Sequence, residues 1–197
     1  MHNNSRTTRR LGTRQIAVVG MLSAVSIILG ASGYGFIPLP TIKLTIMHIP
    51  VIIGAIVEGP LVGAMIGLIF GLFSIFQNIT APALLSFALI NPLVSVLPRI
   101  LIGITSFYAY KLTPGKFEAL KIGVGAAVGS LTNTIGVLGM IYLLYSSQYA
   151  QAKKIGIEAV LNTILTIAAG NGIPEAIGAV AITVPVVLAL NRLIKNR

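Results

Sequence analysis

The residues of this chain that could do chemistry are few, and most of them lie inside long apolar runs. Arg99 and Glu175 are charged residues within such runs. A charged group deep in a bilayer is costly enough that it usually marks a functional site. Asn91 precedes Arg99 by eight residues and Asn171 precedes Glu175 by four. If both runs are helices, each amide shares a helical face with its charged neighbour. The spacing therefore predicts a polar cavity between helices.

Two further amides extend this predicted cavity. Gln77 lies at the outer end of the third apolar run, and Asn133 lies in the middle of the fifth. One interpretation is that Arg99 simply pairs with Glu175 and joins two helices. The other is that Arg99 holds an anionic solute while the amides bind its polar groups, and one Arg can do both. The candidate substrate-binding residues are Arg99, Asn91, Asn133, Asn171, Glu175 and Gln77.

The residues that are missing exclude several kinds of site. The chain has no Cys and no Asp, and its two His residues, His2 and His48, are too few for the usual zinc or iron site. There is no Gly-x-x-x-x-Gly-Lys-[Ser/Thr] loop for nucleotide phosphates. The sequence therefore predicts a protein that is not an enzyme, binds no metal and has no cofactor of its own.

Composition places the elements that carry these residues in a membrane. Hydrophobic residues make up 55% of the 197 residues and charged residues only 9%, whereas a soluble domain has about 25% charged residues. Backbone polar groups inside hydrocarbon need internal partners, and long apolar runs meet that need as helices. We expect an all-α membrane protein: a basic tail, residues 1–15, then one domain, 16–197, with six transmembrane helices. These cover Ile16–Ala31, Thr45–Val57, Leu61–Ile75, Leu84–Tyr110, Ala119–Tyr145 and Val160–Leu193.

The positive charges predict the orientation of the six helices. A net charge of +10 could suggest nucleic acid, but the Lys and Arg residues flank the apolar runs, so we expect no nucleic-acid partner. Ten of them fall on the side that carries both termini and three on the other side, and the richer side is the cytoplasmic one. The sequence thus predicts a multi-pass protein of the bacterial cytoplasmic membrane with both termini in the cytoplasm. The three on the outer side are Lys43, Lys153 and Lys154.

Small residues at four-residue steps predict close helix contacts. Such residues let helix backbones approach each other in lipid. We expect the stripe Gly63, Gly67 and Gly71 to be internal, together with Gly125 and Gly129. The first helix carries Gly20 and Ala24, with Ala17 one turn earlier. Pattern alone leaves open whether this face meets a partner or packs internally.

Two stretches of the chain resemble a known family. IKLTIMHIPVIIGAIVEGPLVGAMIGLIFGLFSIFQ (Ile42–Gln77) and NPLVSVLPRILIG (Asn91–Gly103) are similar to substrate-binding S components of energy-coupling factor (ECF) vitamin transporters. The block Ile-Pro-Val-Ile-Ile-Gly-Ala-Ile, followed by Glu-Gly-Pro and a glycine-rich helix, is the most characteristic part. Within the family the chain is most similar to the pantothenate-specific components, and the resemblance covers nearly the whole chain.

The resemblance implies an S-component fold that binds a water-soluble vitamin near the outer face, beneath the loop between the first two helices. It implies partners as well: a transmembrane coupling subunit and two ATPase subunits that use the ATP. In the family an Ala-x-x-x-Ala motif of the first helix meets the coupling subunit, and here Gly20, Ala24 and Ala17 are the nearest match. Pantothenate is the expected ligand, since one Arg and several Asn suit its carboxylate, amide and hydroxyls. Riboflavin or another vitamin is an alternative, and a self-sufficient secondary transporter coupled through Glu175 is a weaker one.

Overall fold

A computed structural model describes residues 12–38 and 43–195, and in this part of the chain nearly every residue is helical. Within these residues, five helical regions are long and apolar enough to cross a membrane, and a sixth helix is apolar but short. A small antiparallel hairpin, which the sequence analysis did not predict, pairs Phe36 with Thr45. The all-α membrane class is confirmed. The elements are α1 (Thr13–Ser32), β1 (Phe36–Pro38), β2 (Lys43–Thr45), α2 (Ile49–Glu58), α3 (Pro60–Thr80), α4 (Ser86–Leu89), α5 (Pro92–Ser95), α6 (Leu97–Leu112), α7 (Glu118–Lys153) and α8 (Val160–Lys195), with a 3-10 turn at Ile157–Ala159.

The first helix begins earlier than expected. α1 starts at Thr13, so the end of the predicted tail is already helical. Arg14 forms an ion pair of 2.7 Å with Glu58 at the end of α2. Residues 1–11 of the tail lie outside the described residues, so its cytoplasmic location stays a prediction.

The short helix α2 lies in the middle of the bundle. Every residue from Ile49 to Ile56 is buried, and α1, α3, α6, α7 and α8 all pack around it. The helix ends at Glu58; the next residue, Gly59, has a φ of 105° that suits glycine, and Pro60 then begins α3. α2 is therefore surrounded by protein rather than lipid, which explains how ten residues can be accommodated in a membrane domain.

The glycine stripe of α3 brings α6 close and fixes the backbone of Arg99. A Cβ atom on Gly67 would collide with the carbonyl of Arg99, and one on Gly71 would lie 2.7 Å from the Cα of Val96. Gly63 and Gly103 face each other in the same way. The stripe is internal, as expected, and it sets the depth at which Arg99 enters the bundle.

The fourth predicted helix is wrong as a single span. It is divided into α4, α5 and α6, with interruptions near Asn91 and at Val96. Asn91 caps α5 by accepting a hydrogen bond from the Leu93 amide at 2.9 Å. Pro92 and Pro98 each lie in the first turn of the helix that follows, where a missing N–H is tolerated. Each proline therefore favours the start of a new helix, and the segment is divided.

The fifth predicted helix extends further than expected. α7 continues to Lys153, through the polar stretch of residues 146–153 that follows the predicted end at Tyr145. A change of direction occurs at Tyr145, whose φ of −136° is not helical. Beyond it, Tyr149 and Ala150 are buried in a second apolar cluster with Val94 and Ile164. Burial of these two residues explains why the polar stretch is helical.

Candidate functional site

A cavity of about 470 Å³ lies at the end of the bundle where α3 ends, within the size range of small-molecule sites. Helices α3, α6, α7 and α8 contribute to its wall, as does the segment that joins β2 to α2. Polar groups are set among apolar side chains. The lining residues are Thr45, Met47, Phe70, Ser74, Gln77, Asn78, Ala81, Ala83, Leu89, Arg99, Asn133, Thr134, Val137, Leu138, Ile167, Asn171 and Glu175.

Arg99 is held at the cavity by the interruption that precedes it. In an unbroken helix the Val94 carbonyl would accept from the residue four positions later, but that residue is Pro98, which has no N–H. Nη1 of Arg99 donates to this carbonyl at 2.9 Å instead. The guanidinium also lies 5.6 Å from the centre of the Phe70 ring, within the range of a cation–π contact. The cation is thus oriented by a backbone carbonyl and an aromatic ring.

Glu175 lies at the cavity but does not pair with Arg99. Its Oε1 accepts a hydrogen bond from the backbone amide of Thr45, and its Oε2 accepts one from the hydroxyl of Thr134, both at 3.0 Å. Among the side chains that the structure describes, the one ion pair is that between Arg14 and Glu58. The interpretation in which Arg99 simply pairs with Glu175 is therefore wrong. Each charge faces the cavity with its own set of neutral partners.

Three of the predicted amides reach the cavity. Asn133 is buried on α7, and its Oδ1 has no hydrogen-bond partner among the described residues. Asn171 lines the wall one turn before Glu175 on α8. Gln77 also lines the cavity, and its Nε2 donates to the carbonyl of Gly30 at 3.1 Å, joining α3 to α1. The structure thus brings five of the six candidate residues together, while ligand binding by them stays a prediction.

Asn91 is the candidate residue that does not line the cavity. Its Oδ1 caps α5, and its Nδ2 donates to the hydroxyl of Tyr145 at 3.0 Å. The expectation that Asn91 shares a helical face with Arg99 required one straight helix, which the interruption at Val96 removes. Asn91 instead joins the start of α5 to the bend in α7. We therefore do not retain it as a substrate-binding residue.

Several lining residues were not among the candidates. Phe70 and Ser74 precede the candidate Gln77 by seven and three residues, so all three share one face of α3, and this spacing was readable in the sequence. Thr45 and Met47 reach the cavity because of the hairpin and the turn into α2. Local sequence offers no comparable signal for them, since their place depends on long-range packing.

The predicted docking face of α1 is uncovered in the structure. Ala17, Gly20 and Ala24 are all exposed, and a Cβ atom on Gly20 would meet nothing within 4 Å. The buried residues of α1, which include Val19, Ser23 and Ser26, lie on another face that packs against the rest of the bundle. The small residues of α1 therefore do not serve internal packing, in contrast to those of α3.

The arrangement suits a small solute with one anionic end. Arg99 offers a guanidinium to a carboxylate, Asn133 and Asn171 offer amides, and Glu175 offers acceptor lone pairs. Apolar side chains such as Met47 and Ile167 cover the space between these groups. This set of groups can hold a solute through an ion pair and hydrogen bonds.

Comparison with known proteins agrees with this geometry. Residues 14–187 match the family described as "ECF transporter, substrate-specific component". The chain is 32% identical over 173 residues to the pantothenic acid transporter PanT of Lactococcus lactis subsp. cremoris, covering 81% of this chain and 83% of that protein. It is 30% identical over 152 residues to the pantothenate transporter PanT of Leuconostoc mesenteroides, covering 73% and 74% of the two chains.

Proposed function

We propose that this chain, which belongs to the family of substrate-specific components of ECF transporters, binds pantothenate in its cavity for import. The observation that carries the proposal is the placement of Arg99 in the cavity without a carboxylate partner from the protein. A buried cation that is left unpaired is costly, so a ligand carboxylate that pairs with it gains affinity. The two relatives are named as pantothenate transporters, and pantothenate has such a carboxylate.

The rest of pantothenate fits the remaining wall of the cavity. Its amide and two hydroxyls can bond with Asn133, Asn171 and Gln77, and its gem-dimethyl group can pack on apolar residues such as Val137 and Leu138. Among the described residues that line the cavity, Phe70 is the only aromatic side chain. A flavin ring would be expected to use more aromatic stacking, so riboflavin fits this wall less well.

Energy for transport would come from partner subunits. We propose that the chain docks on an ECF transmembrane coupling subunit that carries two ATPase subunits, and that it has no enzymatic activity or cofactor of its own. The exposed stripe of Ala17, Gly20 and Ala24 supports α1 as the docking face, because small residues let a partner helix approach closely. This assignment separates the docking surface from the cavity.

We further propose the orientation that the Lys and Arg residues indicate, with both termini in the cytoplasm and the cavity near the outer face of the cell membrane. The chain has no Cys, so single cysteines report on it without interference. Phe117 immediately precedes α7 and Ile157 lies in the 3-10 turn that follows it, and both side chains are exposed. In intact cells an impermeant maleimide should label Ile157→Cys and spare Phe117→Cys, and the reverse result would invert the topology.

Titration of the purified protein with pantothenate tests the proposed ligand. Saturable binding by calorimetry in detergent, with no binding of riboflavin or thiamine at the same concentrations, would support it. Binding of riboflavin in preference to pantothenate would contradict it. Proteoliposomes with the chain alone, compared with proteoliposomes that also contain the coupling and ATPase subunits, then show whether uptake needs ATP. Uptake by the chain alone would favour a secondary transporter instead.

A further inference from the structure

We infer that Glu175 is a positioning residue that fastens the wall segment Thr45–Met47 to helices α7 and α8. The inference rests on the proposed function for its effect on the vitamin, but the contact itself is a feature of the fold. Glu175 extends from α8, and its two oxygens accept from donors on two other elements, the Thr45 amide of β2 and the Thr134 hydroxyl of α7. One buried carboxylate thereby joins three elements at the edge of the cavity.

The hairpin explains why Thr45 needs this acceptor. In an antiparallel ladder, alternate amides point toward and away from the neighbouring strand. The Ile46 amide donates to the Gly35 carbonyl at 2.9 Å, so the amide of Thr45, one residue earlier, points away from β1. An amide that faces the interior of a membrane domain needs a partner from the protein. Glu175 is that partner.

The wall segment is held at a second point as well. The hydroxyl of Ser26 in α1 donates to the carbonyl of Met47 at 3.1 Å. Thr45 and Met47 both line the cavity, whereas Ser26 does not. The segment is therefore fastened to α8 at one end and to α1 at the other. Loss of Glu175 should free the Thr45 end only, and this local effect distinguishes fastening from general unfolding.

Hydrogen exchange of the ligand-free protein tests the fastening directly. We expect Glu175→Ala to speed exchange of the Thr45 amide by about tenfold or more, the effect of losing a hydrogen bond to a charged group. Glu175→Gln should retain protection to within about threefold, because its amide oxygen still accepts from Thr45 and its NH₂ can donate to the Thr134 hydroxyl. Asn171→Ala, one turn away on the same helix and also at the cavity, is the matched control and should leave Thr45 protected.

Pantothenate dissociation supplies the second measurement. Glu175→Ala should release the vitamin faster than the wild type, and Glu175→Gln should restore the slow rate. If Glu175→Ala abolishes binding while exchange at Thr45 is unchanged, Glu175 acts by touching the ligand and the inference is overturned. If Glu175→Ala does not fold, exchange at Thr45 in Thr134→Val decides: faster exchange supports the fastening and unchanged exchange contradicts it. If the wild type binds no pantothenate, the proposed function fails while the exchange result still decides the role of Glu175.

Discussion

Arg99 is the residue whose substitution should affect binding most. It is buried, its Nη1 is engaged by the Val94 carbonyl, and the described residues supply no carboxylate to neutralise it. A ligand carboxylate therefore meets a guanidinium that is already oriented, and little conformational entropy is lost when the two pair. The same neighbours favour Arg over Lys at this position, since a lysine lacks the planar fork that can bond both a carbonyl and a carboxylate.

We predict that Arg99→Ala weakens pantothenate binding by about 2–5 kcal/mol, the usual effect of removing one partner from a buried charge pair. Arg99→Lys should recover only part of this loss. Calorimetry on the folded variants measures both, with Arg14→Ala as the control, because Arg14 is largely exposed and lies at the far end of α1. Equal affinity in Arg99→Ala and the wild type would show that Arg99 has a structural role only.

At the level of the elements, the contact between α3 and α6 determines where Arg99 lies. Gly67 lies against the backbone of Arg99, and neither backbone can move without shifting its whole helix. We therefore expect a methyl group at Gly67 to displace Arg99 and so to change the cavity, although Gly67 does not line it. Gly139 of α7 provides the comparison, because a Cβ atom there would meet nothing within 4 Å.

We predict that Gly67→Ala destabilises the protein by about 1–3 kcal/mol, as overpacking does, and also weakens pantothenate binding by displacing Arg99. Gly139→Ala should be neutral or stabilise by up to about 1 kcal/mol, because alanine is the better helix former. Thermal unfolding in detergent and ligand titration give the two quantities. A Gly67→Ala protein that is as stable as the Gly139→Ala protein would mean that α3 and α6 are not in tight contact.

The elements also show what the sequence could and could not predict. The apolar runs indicated every long helix, and helical spacing correctly grouped Asn171 with Glu175, because both signals depend on local periodicity. The division of the fourth run depends on Asn91-Pro92 and Pro98, because a proline favours the start of a new helix however long the apolar run is. The hairpin could not be predicted in the same way. Its contact with Glu175 joins residues 130 positions apart, which no local pattern reveals.

In the whole molecule, the exposed face of α1 that carries Ala17, Gly20 and Ala24 does not line the cavity. Substitutions on this face should therefore affect docking on the coupling subunit but not vitamin binding. We expect Gly20→Leu combined with Ala24→Leu to lower vitamin uptake by the reconstituted transporter about tenfold or more, because bulky side chains keep a partner helix at a distance. Pantothenate affinity of the isolated chain should be unchanged, since neither residue lines the cavity.

The matched control for this prediction lies on α8. Gly178→Leu with Ala181→Leu places the same two side chains on another helix, at an exposed Ala and at a Gly with open space around it. This pair should leave uptake near the wild-type rate. Normal uptake by the α1 variant would place the partner contact elsewhere, and loss of uptake in both variants would indicate a general effect of enlarging small residues.

The buried position of α2 has a consequence for how the chain is made. Ten residues rise about 15 Å, half of a hydrocarbon core of about 30 Å, so α2 cannot be inserted as an independent span. Two of the helices that enclose it, α7 and α8, are synthesised last. At a synthesis rate of about 5–20 residues per second, on the order of 10 s pass between the synthesis of α2 and that of α8. During that interval only α1, α3 and α6 can cover α2, which makes the part of the chain up to α6 the place where a biogenesis defect would arise first.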